Sequence, residues 1–143
     1  MKPKITPVII LTCGIVIGAT ATHLIGAPVP LKTTEIMKAD VAGMEGIEVI
    51  VSVADFAPGA TSGKHTHPRH EVAYVLEGAG VSEIEGQAPV TRKAGTVTYI
   101  AAKKVHESKN ESTTEPMKLL VFRIHPKGQP IVDSRLSEPS FVK

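Results

Sequence analysis

The sequence predicts an all-β domain, a sandwich or barrel, behind a hydrophobic N-terminal segment. Three observations carry that expectation. Beyond the first thirty residues, apolar and polar residues alternate with period two over short runs. Those runs are punctuated by Gly, Pro, Asn and Lys at turn-like intervals, and none of them sustains a helical period of 3.6. The chain has 143 residues, which is room for one ordinary domain.

In chain order, Lys2 and Lys4 form a short positive start. No Asp, Glu, Lys or Arg then occurs in residues 5–31, and residues 8–17 are densely apolar. Small residues follow at Ala19-Thr20-Ala21 and Ile25-Gly26-Ala27, the layout of a bacterial-type export signal over residues 1–27. Left uncleaved, the same stretch is long enough to anchor the chain as a membrane helix, with the lysines kept inside. Thr12 stands where lipidation of Cys13 would favour Gly, Ala or Ser, which argues against a lipoprotein. Under either reading, residues 28–143 form an exported domain, periplasmic or extracellular.

That domain reads as strands over Ile47–Phe56 and residues 71–76, 81–85, 89–92, 96–100 and 117–124. From Pro126 onward, Pro130 and Pro139 suggest a tail laid over the surface. Composition removes several function classes. Aromatics are 3% with no Trp, and the net charge is +2, so neither stacking platforms nor an electrostatic footprint for nucleic acid is present. Of the 16 Lys and Arg, the two in the leader leave 14 against 14 acidic residues, so the domain is neutral. The single cysteine lies in the leader, which excludes a disulfide scaffold and thiol catalysis.

Chemistry concentrates in the histidines. His65 and His67 are two residues apart, so on extended backbone their rings share a face. Glu71 follows across a turn marked by Pro68, at the head of an apolar strand, and His106 opens a later strand. Two imidazoles and a carboxylate from neighbouring positions suit a divalent metal, and His106 would complete the set if its strand pairs nearby. His70, adjacent to an inward Glu71, is expected to point outward, and His125 is assigned no role. Tyr74 and Tyr99 are expected as half-buried core aromatics, with Val75, Val97 and Leu120 lining a cavity. Lys103 and Lys104 would flank its mouth.

Residues 59–78, GATSGKHTHPRHEVAYVLEG, resemble the first motif of the cupin superfamily at every defining position. The second motif is matched in spacing from Gly95 through His106 to Asn110, with Ala101 in place of the usual Pro and Lys103 in place of the usual Gly. The resemblance implies a double-stranded β-helix, or jelly-roll, holding one divalent ion (Mn, Fe, Ni, Cu or Zn) on His65, His67, Glu71 and His106. It also implies turn roles for Gly78, Gly86 and Gly95, and a homodimer formed through sheet edges or swapped terminal strands, a part that the terminal strand at residues 31–37 could play. Glu71 would be a ligand first and a proton acceptor second. The two departures put the turn before His106, and so that ligand, in question. Cupins of this pattern include dioxygenases, isomerases, decarboxylases and proteins without a known reaction, and fold does not choose among them. Three expectations therefore stand: a small metal-dependent oxidase or dioxygenase acting on a small organic substrate, a metal- or ligand-binding module without turnover, and a structural domain. No catalytic residue beyond the ligands is assigned.

Overall fold

The structure is a computed structural model that describes residues 31–132, and the leader over residues 1–27 lies outside the described residues. Eight strands make up the regular structure: β1 Lys32–Asp40, β2 Ile47–Phe56, β3 Glu71–Glu77, β4 Ala79–Ile84, β5 Val90–Lys93, β6 Val97–Ile100, β7 His106–Lys109 and β8 Met117–Pro126. The described residues contain no helix. Five strands form one sheet in the order β1-β2-β8-β3-β6, and three form a second in the order β5-β4-β7. All pairings are antiparallel.

Antiparallel register decides what faces inward. Ala54 opposes Leu119, which opposes Val75, and Phe56 opposes Met117. These buried residues, with Ala73 and Val121, form the apolar core at one end of the larger sheet. Moving along the same inner face, the rows turn polar. Ile50, Arg123, Glu71 and Ile100 lie side by side across β2, β8, β3 and β6. Glu48 opposes His125 one row further on, and both are buried. The candidate ligands stand at this polar end.

Three sequence expectations meet the structure as follows. First, residues 31–37, which could pair with a second copy, lie at the start of the described chain and mostly in β1, which pairs with β2 and forms the edge of the larger sheet. The segment KTTEIMKAD is exposed along its whole length, so no buried face marks it in the sequence. Second, Val97, Tyr99 and Leu120 are not inward. The pairing of Glu71 with Ile100 fixes the phase of β6, so Thr98 and Ile100 are buried while Val97 and Tyr99 are 55% and 58% exposed. On β8 the inward residues are Leu119 and Val121, one position either side of Leu120. Tyr74 likewise faces out, opposite Leu120 and Val97, whereas Val75 is in the core as expected. Third, β8 runs to Pro126, and the described residues after it lie mostly exposed on the surface, as a surface tail requires, with Ile131 O held by His67 Nδ1.

The turn before His106 keeps its shape despite the substitution. Lys103 has φ 61°, the one non-glycine positive φ among the described residues. Its N–H donates to His67 O at 2.9 Å, which ties this turn to the first histidine loop. Left-handed backbone costs a non-glycine residue about 1–2 kcal/mol. The added freedom of glycine in the unfolded chain returns roughly 0.5–1 kcal/mol of that. Lys103→Gly is therefore expected to stabilise the domain by about 0.5 kcal/mol, and Lys103→Val to destabilise it by more than that. Denaturant midpoints of the two variants check the pair.

Candidate metal centre

Two backbone contacts assemble the site. His65 and His106 form an isolated antiparallel bridge, each N–H donating to the other's carbonyl at 3.0 Å. The two motif segments are thus stitched together at the histidines. Extended backbone places His67 on the same face as His65, and Glu71 reaches the same point from the first position of β3. All four side chains that the sequence nominated come together, and all four residues are buried.

The three rings pack with centroids 4.3–5.1 Å apart. Each presents Nδ1 to a main-chain carbonyl: His65 to Gly63 O at 2.8 Å, His67 to Ile131 O at 2.6 Å and His106 to Lys104 O at 3.0 Å. A carbonyl only accepts, so each Nδ1 carries the proton and each neutral ring turns its Nε2 lone pair inward. The consequences are visible at those atoms. His65 Nε2 and His67 Nε2 are 3.1 Å apart. Glu71 Oε2 is 2.8 Å from His67 Nε2, and Oε1 is 3.8 Å from His106 Nε2. His106 Nε2 is buried with no hydrogen-bond partner.

An orphaned buried acceptor and two facing lone pairs beside a carboxylate are costly unless a cation sits among them. A proton on His67 relieves part of that; a metal ion relieves all of it. One ligand atom from each of the three histidines lies within 4.8 Å of the others. The donor set therefore fits a divalent ion, and the carbonyl-anchored Nδ1 atoms supply the outer support that orients such ligands.

Arg123, which the sequence reading missed, completes the electrostatics. Its Nε–H donates to Glu71 Oε2 at 2.7 Å from the adjacent strand. Burial opposes ionisation of Glu71, but the hydrogen bond with His67 and the Arg123 charge outweigh it and hold the carboxyl down at about 2. Burial pushes His65 from 6.5 down to about 4 against the favourable bond to Gly63 O, and it lowers His106 as well. Arg123 had a readable signal: the inward sequence Leu119, Val121, Arg123, His125 puts a cation on the buried face of an otherwise apolar strand.

The signs give a pH expectation for metal-free protein. A folded-state value below the unfolded one means the unfolded chain takes up the proton first, so stability falls with acid. His65 contributes a loss between pH 6.5 and about 4, and Glu71 a second one between 4.5 and about 2. The thermal midpoint in chelator is expected to drop monotonically from pH 7 through both windows, and a flat profile above pH 5 would contradict the His65 environment.

The other two histidines among the described residues, His70 and His125, stay outside this arrangement. Tyr99 Oη donates to His70 Nδ1 at 2.7 Å on the exterior, the rings stacked at 16°, as the outward expectation for His70 requires. His125 is buried and donates from Nε2 to Gln129 O at 2.8 Å, bracing the turn after β8.

In front of the cluster lies a cavity of about 130 Å³. His65, Glu71, His106 and Arg123 form its polar wall, and Phe56, Leu119 and Val121 are among its apolar residues. That volume is close to the roughly 150 Å³ of an engineered cavity that accepts benzene.

Known proteins agree with this architecture. The chain is similar to an uncharacterized conserved protein with a double-stranded β-helix domain from Klebsiella pneumoniae, at 17% identity and TM-score 0.61 over 80% of this chain and 90% of that one. It is similar to TT1209 from Thermus thermophilus, at 23% identity and TM-score 0.56 over 70% and 87%. The DMSP lyase DddQ from Ruegeria pomeroyi aligns at 18% identity and TM-score 0.55 over 64% of this chain, which spans only 45% of the lyase. No curated protein matches the sequence. These likenesses speak to fold. The sequence profile of the cupin domain matches residues 52–123, half of the chain and both histidine segments, and the chain belongs to the cupin domain family.

Proposed function

We propose that this protein is an exported, metal-binding single-domain cupin that acts as an oxidase or dioxygenase on a small organic molecule. The observation that carries the reading is the convergence of three Nε2 lone pairs and the Glu71 carboxylate beside a partly open cavity whose wall is mixed polar and apolar. His65, His67, His106 and Glu71 would hold the ion, which when bound supplies Lewis-acid or redox chemistry. The chain's own contributions are more specific. Phe56, Leu119 and Val121 give the cavity an apolar side, and its volume of about 130 Å³ suits a small organic molecule. Arg123 pins Glu71 in its ionised form, so that the carboxylate stays available to a cation at any pH above about 2. Export is supported by Lys2, Lys4 and the uncharged run that follows.

The second reading is a binding module without turnover, supported by the engagement of Glu71 Oε2 by both Arg123 Nε and His67 Nε2, which suits a fixed ligand better than a mobile base. Native protein carrying Mn, Fe, Ni or Cu is to be screened for oxygen uptake with small phenols, enols and carboxylic acids, with products followed by mass spectrometry. Uptake that tracks metal content supports the oxidoreductase. Full metal with thermal stabilisation by a compound and no product would establish the binding module instead.

A further inference from the structure

The larger sheet has one face turned into the barrel and one turned away from it. Ile50, Arg123, Glu71 and Ile100 lie on the inner face, so alternation puts their strand neighbours outside. The register aligns those outward residues in rows. Val53, Leu120, Tyr74 and Val97 form one row across β2, β8, β3 and β6. Val51, Phe122, Val72 and Tyr99 form the next, which Met37 of β1 continues, and Val49 with Ile124 begins a third. No Asp, Glu, Lys or Arg stands among these residues.

Val72, Tyr74, Val97, Tyr99, Phe122 and Ile124 are each between 36% and 58% exposed. With about 150–250 Å² for a whole aromatic side chain and less for an aliphatic one, the open apolar face comes to roughly 700 Å². The largest apolar patch on a typical monomer is about 300–600 Å². A standard protein interface removes about 800 Å² from each partner. This face is thus larger than an isolated domain usually leaves in water and close to what one half of a stable dimer needs. It is also not flat. His70, Val72, Tyr99, Phe122 and Ile124 are among the residues lining a groove of about 580 Å³, and the row of Tyr74 and Val97 runs beside it.

The border of the face indicates what covers it. Lys32, Asp55, Lys118 and Glu77 make a row at one end. Lys118 Nζ lies 3.2 Å from Glu77 Oε1 and 3.9 Å from Asp55 Oδ1. Two cations and two anions leave that row neutral, so it does not repel its own copy. An anionic membrane surface would instead call for surplus Lys and Arg around the apolar centre.

We propose that this outer face docks a second copy of the chain, the two larger sheets packing face to face about a two-fold axis. Isologous pairing lays the Tyr74 and Val97 row of each copy into the groove of the other. The contact is a sheet face and not an edge, since β1 adds only its margin and keeps its pairing with β2. It lies on the opposite side of the sheet from Glu71 and Arg123, so assembly needs no metal.

The test is sedimentation velocity of the full chain over a dilution series in chelator, read beside intrinsic fluorescence. The chain has two Tyr and no Trp, and both tyrosines, Tyr74 and Tyr99, lie on this face, so their emission reports it. A dimer is expected at micromolar concentration, with mass and emission changing together on dilution. Phe122→Lys and Val97→Lys are each expected to weaken association by at least about 100-fold, because the charge must be buried against an apolar partner. A native protein that is monomeric at every concentration overturns the proposal. So does association that both variants keep, which would place the contact on another surface or on the leader. A monomer that floats with phosphatidylglycerol vesicles, and stops floating as Phe122→Lys, gives the face to lipid and overturns the second copy. Should Phe122→Lys fail to fold, Val97→Lys, at the more exposed edge strand, decides by the same criteria.

Discussion

Protein carrying His65→Ala and His67→Ala, purified gently beside the native chain, is expected to retain less than about a tenth of the native metal. Losing even one outer support of a metal ligand typically costs about 10- to 100-fold in affinity, and this variant removes two ligands outright. The native protein is expected to hold close to one equivalent, measured by elemental mass spectrometry. The pattern of the other contacts makes the result specific. His106 keeps its Nδ1 bond to Lys104 O, and Glu71 keeps Arg123, so the variant leaves the rest of the pocket supported. The acid-induced loss of stability assigned to His65 between pH 6.5 and about 4 should disappear in the same variant. Metal retained by the variant, or absent from both proteins, would sink the assignment of these imidazoles as ligands.

Asn110→Leu is expected to be the most destabilising single change outside the site. Asn110 is 2% exposed, and its Nδ2 donates to the carbonyls of Phe56, Ala57 and Glu115 at 2.9–3.2 Å. Its Oδ1 accepts from Ser112 N at 3.1 Å, and its own N–H donates to Ala60 O at 2.9 Å. One side chain thus joins the end of β2, the loop towards the histidines and the turn before β8. Leucine has a similar volume but satisfies none of these groups. Each buried polar group left unpaired costs about 1–3 kcal/mol, so the total is about 3–5 kcal/mol. A Tm lowered by more than about 10 °C in a scan of the purified variant would match that figure. A loss below about 1 kcal/mol would mean that water replaces the amide at little cost.

What the sequence reveals, and what it hides, divides along physical lines. Alternation and turn residues are local, so the strands from β2 onward were legible to within a few residues. The ligand-type residues were legible because His65, His67 and Glu71 depend only on nearby backbone, and His106 on a spacing that the cupin resemblance supplied. The phase of β6 was not, because Val97 and Tyr99 alternate as plausibly inward as outward until the pairing of Glu71 with Ile100 is known. β1 was legible only as a terminal strand over residues 31–37, and its pairing with β2 was not, because a wholly exposed edge strand has no apolar side to advertise itself. Lys103 shows the limit of motif logic, since the turn tolerates a left-handed lysine where the pattern favours glycine. Arg123 could have been found by asking which charges alternation forces inward.

The bond from His67 Nδ1 to Ile131 O spans 64 residues. This imidazole gains its support from a segment that follows the final strand, after β8 has zipped between β2 and β3. The order of events during folding follows from that separation. Unlike a small zinc module, whose ligands gather around the ion and fold because of it, this chain must first close its barrel before the last imidazole is locked. An ion held at this centre would then be captured late, and its capture would report that the chain has finished folding.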